Sequence, residues 1–532
     1  MDQKTLLAIV LCVIIWIVFM PSPSPRPPQP ANTSAPAAAS PEAEAVLAPH
    51  PTEVQPAPST IEDRVFTLRN DRQEVEVGSI GGRILRVRLK DFATELGKET
   101  RVVLDYGSGS EVQRPLNWVF KLDQGDRIVR LRNLGYVVRT EEPDHAVLEY
   151  DFEGLLTFTK RLALVGDYGV RETIDIANHT SGDVRIVAEC PLHYELPATP
   201  QSSGGCMRMM GQVPDIPNLV VRVNETIERA ELASLEATRH FEGRVGWMGV
   251  DSKYFLSVIR PTLPLAQSLE FTKEGNRVSG LLRYGQRDLL PGQQVQFETS
   301  MWAGPKEIER LQTLGDNLEA TIDLGDWLGP LARPILKLLR WIHSIVPNYG
   351  LAIILLTILV KLLLFPLNVK QYKSMKAMQK LQPEIKLLRE RFQDSKEKLN
   401  AEMMDLFKRH KVNPMGGCLP LLLQMPIFFA LYRVLFNSIE LRHEPFAFWI
   451  VDLSSPDQYF ISPLLMGVMM FIQQRMTPTT TMDPTQAKML QFMPVIFTLF
   501  MLALPSGLVI YILTNTMVSI LQQWWINKRV TV

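Results

Sequence analysis

The sequence predicts a membrane protein of two unlike parts, an all-β soluble domain on a tether and then an α-helical transmembrane bundle with a helical hairpin in one loop. Three observations carry this. The chain has 532 residues, too many for one compact domain. Up to about residue 345 it holds short stretches in which apolar and charged residues alternate, the pattern of half-buried strands. From about 349 to 525 apolar runs with very few charges dominate, the pattern of membrane spans. The formal net charge of zero averages over both parts and excludes no class of partner.

Residues 1–20 begin Met1-Asp2-Gln3-Lys4 and continue as the apolar run TLLAIVLCVIIWIVFM. A signal peptide and a permanent anchor share such a run. Pro21-Ser22-Pro23 follows at once with no small-x-small cleavage pattern, and Cys12 lacks the small residues expected before a lipoprotein cysteine, so an uncleaved transmembrane anchor is predicted. Residues 21–60 are rich in Pro, Ala and Ser and nearly empty of large apolar side chains. They cannot bury enough surface to fold and form a semi-extended linker.

Residues 61–320 form the soluble domain. Glu74-Val75-Glu76-Val77, Arg86-Val87-Arg88-Leu89, Arg127-Ile128-Val129-Arg130-Leu131, Leu155-Leu156-Thr157-Phe158-Thr159 and Arg171-Glu172-Thr173-Ile174-Asp175-Ile176 have period two with charges outward. Turn signals at Gly81-Gly82, Gly107-Ser108-Gly109 and Asn178-His179 separate them, which predicts a large antiparallel sandwich interrupted by one helix at 224–237. His145, His179, His193 and His240 are scattered without metal spacing. No G-x-S-x-G elbow or phosphate loop occurs. The expectation is therefore binding or scaffolding rather than catalysis, with no metal, cofactor or nucleotide. Cys190 and Cys206 are either a disulfide closing a short loop in an oxidising compartment or two free thiols.

Residues 326–346 place Trp327, Leu328, Leu331, Ile335, Leu338, Leu339 and Ile342 at helical spacing, with Arg333, Lys337 and Arg340 on the other side. Prolines and charges exclude a span, and an amphipathic helix in the membrane interface is expected; the competing reading is a helix packed on the soluble domain. The bundle at 349–525 contains five apolar runs, 351–369, 419–436, about 461–472, 489–504 and 507–525. Several fall short of the roughly 20 residues a normal hydrocarbon core takes. Lysine and arginine sort the loops: 370–411 carries about a dozen, 437–460 essentially only Arg442, and Lys528-Arg529 sits in the short tail at 526–532. With Lys4 this predicts six spans in all, both termini cytoplasmic and the β domain on the far side.

The basic segment 370–411 has apolar residues mostly three or four apart, Met375, Met378, Leu381, Ile385, Leu388 and Phe392, then Leu399, Met403, Leu406 and Phe407. Two amphipathic helices joined near Asp394-Ser395 are predicted, a cytoplasmic hairpin. Methionine faces adapt to many apolar partners, so Met375, Met378, Met403 and Met404 are candidates to hold one; equally, they zip the two helices together.

The sharpest single signal is Lys361. A cation inside a span is unfavourable by roughly 2.5 to 3.5 kcal/mol on insertion scales and normally faces a partner or a wet cavity. Thr357 lies four residues before it and Asn368 seven after, and other spans offer Gln424, Gln473, Gln474, Tyr511, Thr514, Asn515 and Ser519. These predict a polar groove open to the cytoplasm. The alternative is a lysine snorkelling to nearby headgroups.

The run KVNPMGGCLPLLLQMPIF from Lys411 to Phe428, FMPVIFT from Phe492 to Thr498, LPSGLVIY from Leu504 to Tyr511 and Gly304-Pro305-Lys306 resemble the YidC/Oxa/Alb membrane protein insertases, in the six-span bacterial form. The resemblance implies a periplasmic β-supersandwich, a bacterial inner-membrane location and a groove holding a positive charge. Where the family typically has arginine this chain has Lys361, which keeps the charge but not the planar fork. The resemblance further implies nascent membrane-protein clients, received by the hairpin, flanked by Lys361, Thr357, Gln424, Tyr511, Thr514 and Asn515, and released into lipid past Met425, Phe428, Met493 and Phe497. The Sec translocon, the ribosome and the signal recognition particle receptor are implied partners. Two other classes fit the residues: a transporter or lipid flippase using the same groove, and a membrane-anchored carbohydrate-active enzyme.

Overall fold

The computed structural model describes residues 52–54, 62–106, 118–123, 127–195, 217–231, 238–275, 277–325, 327–392, 395–410, 419–476 and 484–529. The predicted anchor 1–20, nearly all of the linker, Cys206 and the stretch 411–418 lie outside the described residues.

Alternation builds the first half. Four strands, Val65–Arg69, Gln73–Gly78, Arg83–Ala93 and Arg101–Asp105, pair antiparallel in chain order. The other sixteen form one large sheet, antiparallel except where Thr52–Val54 runs alongside Arg127–Leu131. In Gln73–Gly78 the residues Gln73, Val75 and Val77 point inward while Glu74 and Glu76 stay partly wet, so a one-residue slip would bury the carboxylates. Val75, Val87 and Leu89 of the small sheet meet Phe158, Ile174 and Ile176 of the large one in a common core. Trp118, Phe120, Phe158, Tyr284 and Phe297 fill its centre, Trp118 stacking on Tyr284 with ring centroids 5.2 Å apart. The expected sandwich is present, and all five strand segments read from the sequence lie within or overlap observed strands.

One polar anchor joins the sheets. Lys160 is 1 % exposed, pairs with Glu172 and donates to the carbonyl of Gly81 at 3.0 Å. The turn passes this close because Gly82 takes φ 55° and has no side chain; a Cβ there would lie 2.7 Å from Lys160 Cδ.

Over the described part of the helix expected at 224–237, up to Glu231, the chain is a β-hairpin instead, and 232–237 lie outside the described residues. Asn218–Val223 and Thr226–Glu231 pair, and Asn218–Val223 continues onto the long strand Arg239–Asp251. Asn224 turns the chain at φ 55°, a left-handed conformation that asparagine tolerates. The helix-forming composition of this stretch is overridden by its sheet neighbour. Cys190 is buried, which pushes its thiol pKa well up, and forms no disulfide among the described residues; its candidate partner Cys206 lies outside them.

The strand Gln294–Pro305 hands the chain to α1 (Ile308–Leu314), a 3-10 turn (Leu318–Thr321), α2 (Gly329–Ile345), α3 (Tyr349–Leu363), α4 (Phe365–Lys380), α5 (Gln382–Arg391), α6 (Lys396–Arg409), α7 (Leu419–Asn437), α8 (Ile461–Met476), α9 (Pro484–Met501) and α10 (Ser506–Arg529). A chain of ions fixes the handover. Lys306 Nζ donates to Asp251 Oδ1 at 2.5 Å and to the Ser252 carbonyl at 3.0 Å, with both charged residues buried. Arg229 sits 3.3 Å from Asp251 and 3.9 Å from Asp323. Asp323 in turn accepts from Arg433 of α7 at 2.7 Å, and its carbonyl from Asn437 at 2.7 Å.

The run expected as one span at 351–369 is broken. Pro366 in the first turn of α4 has no N–H for the carbonyl four residues back, and α3 and α4 meet at a bend of 60° at Leu364. Among the described residues no single helix is long and apolar enough to cross a membrane, and this bent pair is the one that passes by length and composition. Pro426, Pro494 and Arg433 interrupt or charge the other candidates, and α8 has only 16 residues. The stretch expected as two helices is three. Pro383 divides α4 from α5, while α5 and α6 pack together as a hairpin around Met378, Leu381, Ile385, Leu406 and Phe407.

Replacing Lys306 by Ala removes the nearest partner of the buried Asp251 carboxylate and leaves it only Arg229 at 3.3 Å. The expected loss is about 3 to 5 kcal/mol of unfolding free energy, measured by urea titration followed by tryptophan fluorescence. Lys306→Met combined with Asp251→Leu should recover most of it, because no buried charge is then left unpaired and Arg229 keeps Asp323 at 3.9 Å.

Candidate functional site

α3 and α10 pack along their length, with α8 and α7 also against α10. Asn348 Oδ1 caps α3 by accepting from Leu351 N at 3.0 Å, and its amide holds the Phe446 carbonyl at 2.9 Å, which sets the rotation of α3. Thr357 and Lys361, one turn apart, therefore face α10 rather than lipid. Thr357 is 1 % exposed and returns its hydroxyl to the Ile353 carbonyl at 2.6 Å. Lys361 is 6 % exposed and its ammonium donates to Ser519 Oγ at 2.8 Å. Ser519 donates onward to the Asn515 carbonyl at 2.7 Å. Among the described residues no carboxylate pairs with Lys361.

α10 answers with its own stripe. Tyr511, Asn515, Ser519 and Gln522 recur at intervals of four, four and three, one face of a helix. Gln522 donates to the Lys361 carbonyl at 3.4 Å and accepts from Asn368 at 3.0 Å, and the Tyr372 hydroxyl reaches the Ser519 carbonyl at 3.3 Å. At the other end Gln424 of α7 reaches the Tyr511 hydroxyl at 3.3 Å and Asn515 Oδ1 at 3.5 Å. Lys361 and Ser519 are buried, whereas Gln424 and Asn515 at the other end are half-buried. The arrangement can hold a positive charge on the neutral Ser519 hydroxyl and offer amide and hydroxyl groups along the same stripe. It contains no nucleophile–base pair, and no cluster of metal-binding side chains occurs among the described residues.

The sequence-predicted residues thus separate. Lys361, Asn515, Gln424 and Tyr511 come together. Thr514 is half-exposed beside the stripe rather than on it, and Gln473 and Gln474 lie on α8. Met425 and Phe428 are half-buried on α7, Phe428 lying 6.2 Å from the Tyr511 ring, while Met493 is exposed on α9 and Phe497 half-buried. In the hairpin, Met378 is buried in the cluster and Met403 packs against it, whereas Met404 is exposed. Met375 falls on α4, but its side chain is outside the described set. Sequence reasoning missed Gln522 and Tyr372. Gln522 stands three residues after Ser519 and was legible by helical period; Tyr372, beyond the bend at Leu364, was not.

A β-sandwich leading into an apolar helical bundle whose centre holds an ammonium on a polar stripe is the build of a membrane protein that manages polar groups inside an apolar shell. Residues 65–338 match the family model described as the YidC periplasmic domain, and residues 341–531 that of the 60Kd inner membrane protein. The chain belongs to the YidC family of bacterial inner-membrane proteins. The membrane protein insertase YidC of Syntrophus aciditrophicus is 48% identical over 308 residues, 58% of this chain and 56% of that protein. That of Geobacter sulfurreducens is 38% identical over 379 residues, 71% of this chain and 69% of that protein. A crystal structure of an active YidC insertase with its first transmembrane domain resolved superposes at TM-score 0.37 and 19% identity, covering 89% of this chain and 94% of that one. The matched part of this chain thus spans little more than half the length of the first curated relative, 56%.

Ser519→Val should remove the oxygen that holds the Lys361 ammonium and lower the stability of the detergent-purified protein by about 1 to 3 kcal/mol. Adding Lys361→Met should restore it, since a packed apolar pair replaces an unsatisfied charge. Thermal unfolding of the four proteins in the cycle measures this.

Proposed function

We propose that this protein is a membrane protein insertase: it receives apolar segments of nascent membrane proteins from the cytoplasm and passes them into the lipid of a bacterial inner membrane. The observation that carries this is Lys361, a buried cation whose ammonium donates to the neutral Ser519 hydroxyl within a two-helix polar stripe. An ammonium held by a neutral hydroxyl keeps its charge available to an incoming anionic group, which a carboxylate partner would cancel. Family membership supports the same reading, because the relatives are named as insertases.

In this reading residues 1–20 anchor the chain, 21–60 tether the periplasmic domain at 61–320, and 326–346 lie in the outer interface. Five further spans occupy 349–525, with the hairpin 370–411 and the tail 526–532 cytoplasmic. The hairpin meets the client, with Met404 rather than Met378 available to it, since Met378 is buried between the hairpin helices. The polar or acidic flank of the client moves along Gln424, Asn515 and Lys361, while its apolar part leaves past Met425, Phe428, Met493 and Phe497. Burial of apolar surface drives the second step. Outward movement of an acidic flank gains about 2.3 kcal/mol per charge for each ~100 mV of membrane potential. No nucleotide is required. The Sec translocon, the ribosome and the receptor of the signal recognition particle are partners in this scheme.

The short helices fit it. The 15 residues of α3 span about 22 Å at about 1.5 Å each, against a hydrocarbon core of about 30 Å. Either the crossing continues through the bend into α4 or the bilayer thins around α3, and a thinner apolar layer is a lower barrier to polar flanks.

Purified protein in liposomes should insert a short client with an acidic flank unaided. Lys361→Ala should reduce that insertion at least tenfold and Lys361→Arg by less than twofold, scored by protease protection of the client. Full activity of the Ala variant on every client, or solute flux without insertion, would overturn the reading, the latter in favour of a transporter.

A further inference from the structure

α2 has three faces, where an amphipathic helix needs two. Ala332, Ile335, Leu336, Leu339 and Ile342 are buried against α3 and α7. A second apolar stripe, Trp327, Leu331, Trp341 and Ile345, is exposed. Between them run Arg333, Lys337 and Arg340 at intervals of four and three. Arg340 is already matched, 3.1 Å from Glu309 of α1 and 3.8 Å from Glu440. Arg333 and Lys337, one turn apart, have no acidic partner among the described residues.

Beside them is a groove of about 860 Å³ between α1, α2 and the start of α3. Arg333, Lys337 and Trp341 edge it, Gln312 and Ser344 add hydrogen-bonding groups, and the His343 ring, stacked on Tyr349 at 3.7 Å, closes one end. Glu309 also lines it, but its charge is engaged by Arg340. Cations without counter-ions beside an exposed aromatic and aliphatic stripe match a ligand that is anionic at one end and apolar at the other. α2 also ends four residues before α3 begins, so the groove lies where the first apolar helix of the bundle starts.

We propose that this groove is a binding site for an anionic phospholipid, its phosphate held by Arg333 and Lys337 and its acyl chains lying along Trp341, Leu331 and Ile345. The inference rests on the membrane placement of the proposed function but not on insertion or on Lys361. Each cation beside an anionic headgroup strengthens binding roughly fivefold, so the two together contribute about thirtyfold.

The test is native mass spectrometry of the full-length protein in detergent, titrated separately with phosphatidylglycerol, phosphatidylcholine and inorganic phosphate. Phosphatidylglycerol should bind the native protein far more tightly than either of the others. Arg333→Gln with Lys337→Gln should weaken it about thirtyfold, while Arg333→Lys with Lys337→Arg should keep it, and Trp341→Ala should weaken the lipid alone. These side chains are exposed, so an unchanged melting curve is expected and checks the fold. Equal binding of phosphatidylcholine, an unaffected Gln pair, or inorganic phosphate binding as tightly as the lipid would each overturn the proposal. Lys361→Ala should bind phosphatidylglycerol normally. Lipid retained with insertion lost in all proteins would therefore count against the insertase reading alone.

Discussion

The contact between the Lys361 ammonium and Ser519 Oγ organises the helical half of this protein. A charge in an apolar bundle must find oxygens, and the nearest available ones belong to another helix. α3 and α10 are thereby set in register, with Thr357 and Asn368 along one side and Asn515 and Gln522 along the other. The apolar surfaces of α3, α8, α9 and α10 are interchangeable in energy. Directional hydrogen bonds are not, and in a shell without water they decide how helices are rotated.

Around that stripe the helices are short and interrupted. Pro366 bends the α3–α4 pair, and Gly467 lets α8 lie directly on Thr498 of α9, where any larger side chain would collide. Such features weaken each helix as a spanning element but leave little need for length if the surrounding lipid yields. The β-sandwich follows the opposite logic. Many of its strands alternate, its core is rich in aromatic side chains, and the one buried lysine of its sheet junction, Lys160, is partnered by Glu172 and the Gly81 carbonyl.

Much of this was legible in the sequence, for different reasons in the two halves. Period two survives in the sandwich because register is enforced by burial, so Glu74-Val75-Glu76-Val77 reads as a strand and is one. The stretch after Asn224 misled because Glu, Arg, Ala and Leu favour helices locally, while the strand Asn218–Val223, itself held by Arg239–Asp251, offers a ladder that no local pattern reveals. Lys361 stood out because charge in an apolar run is rare. Ser519 was read as one of several groove-lining groups, and which of them meets Lys361 was not legible until the helices set the two 2.8 Å apart. The roles of the hairpin methionines could not be divided by sequence either. Met378 and Met404 have the same chemistry, and their difference is only which way each faces.

Asp323 carries a consequence for dissecting the protein. It belongs by position to the segment that follows the sandwich, yet it is held by Arg229 on one side and by Arg433 and Asn437 on the other. It is the rivet between two independently built bodies. A shortened chain that begins at residue 321 keeps the rivet in the bundle, whereas one that begins at 326 leaves the Arg433 guanidinium without its carboxylate. Two deletions differing by five residues would then report on different things, the first on the sandwich itself and the second on the integrity of α7.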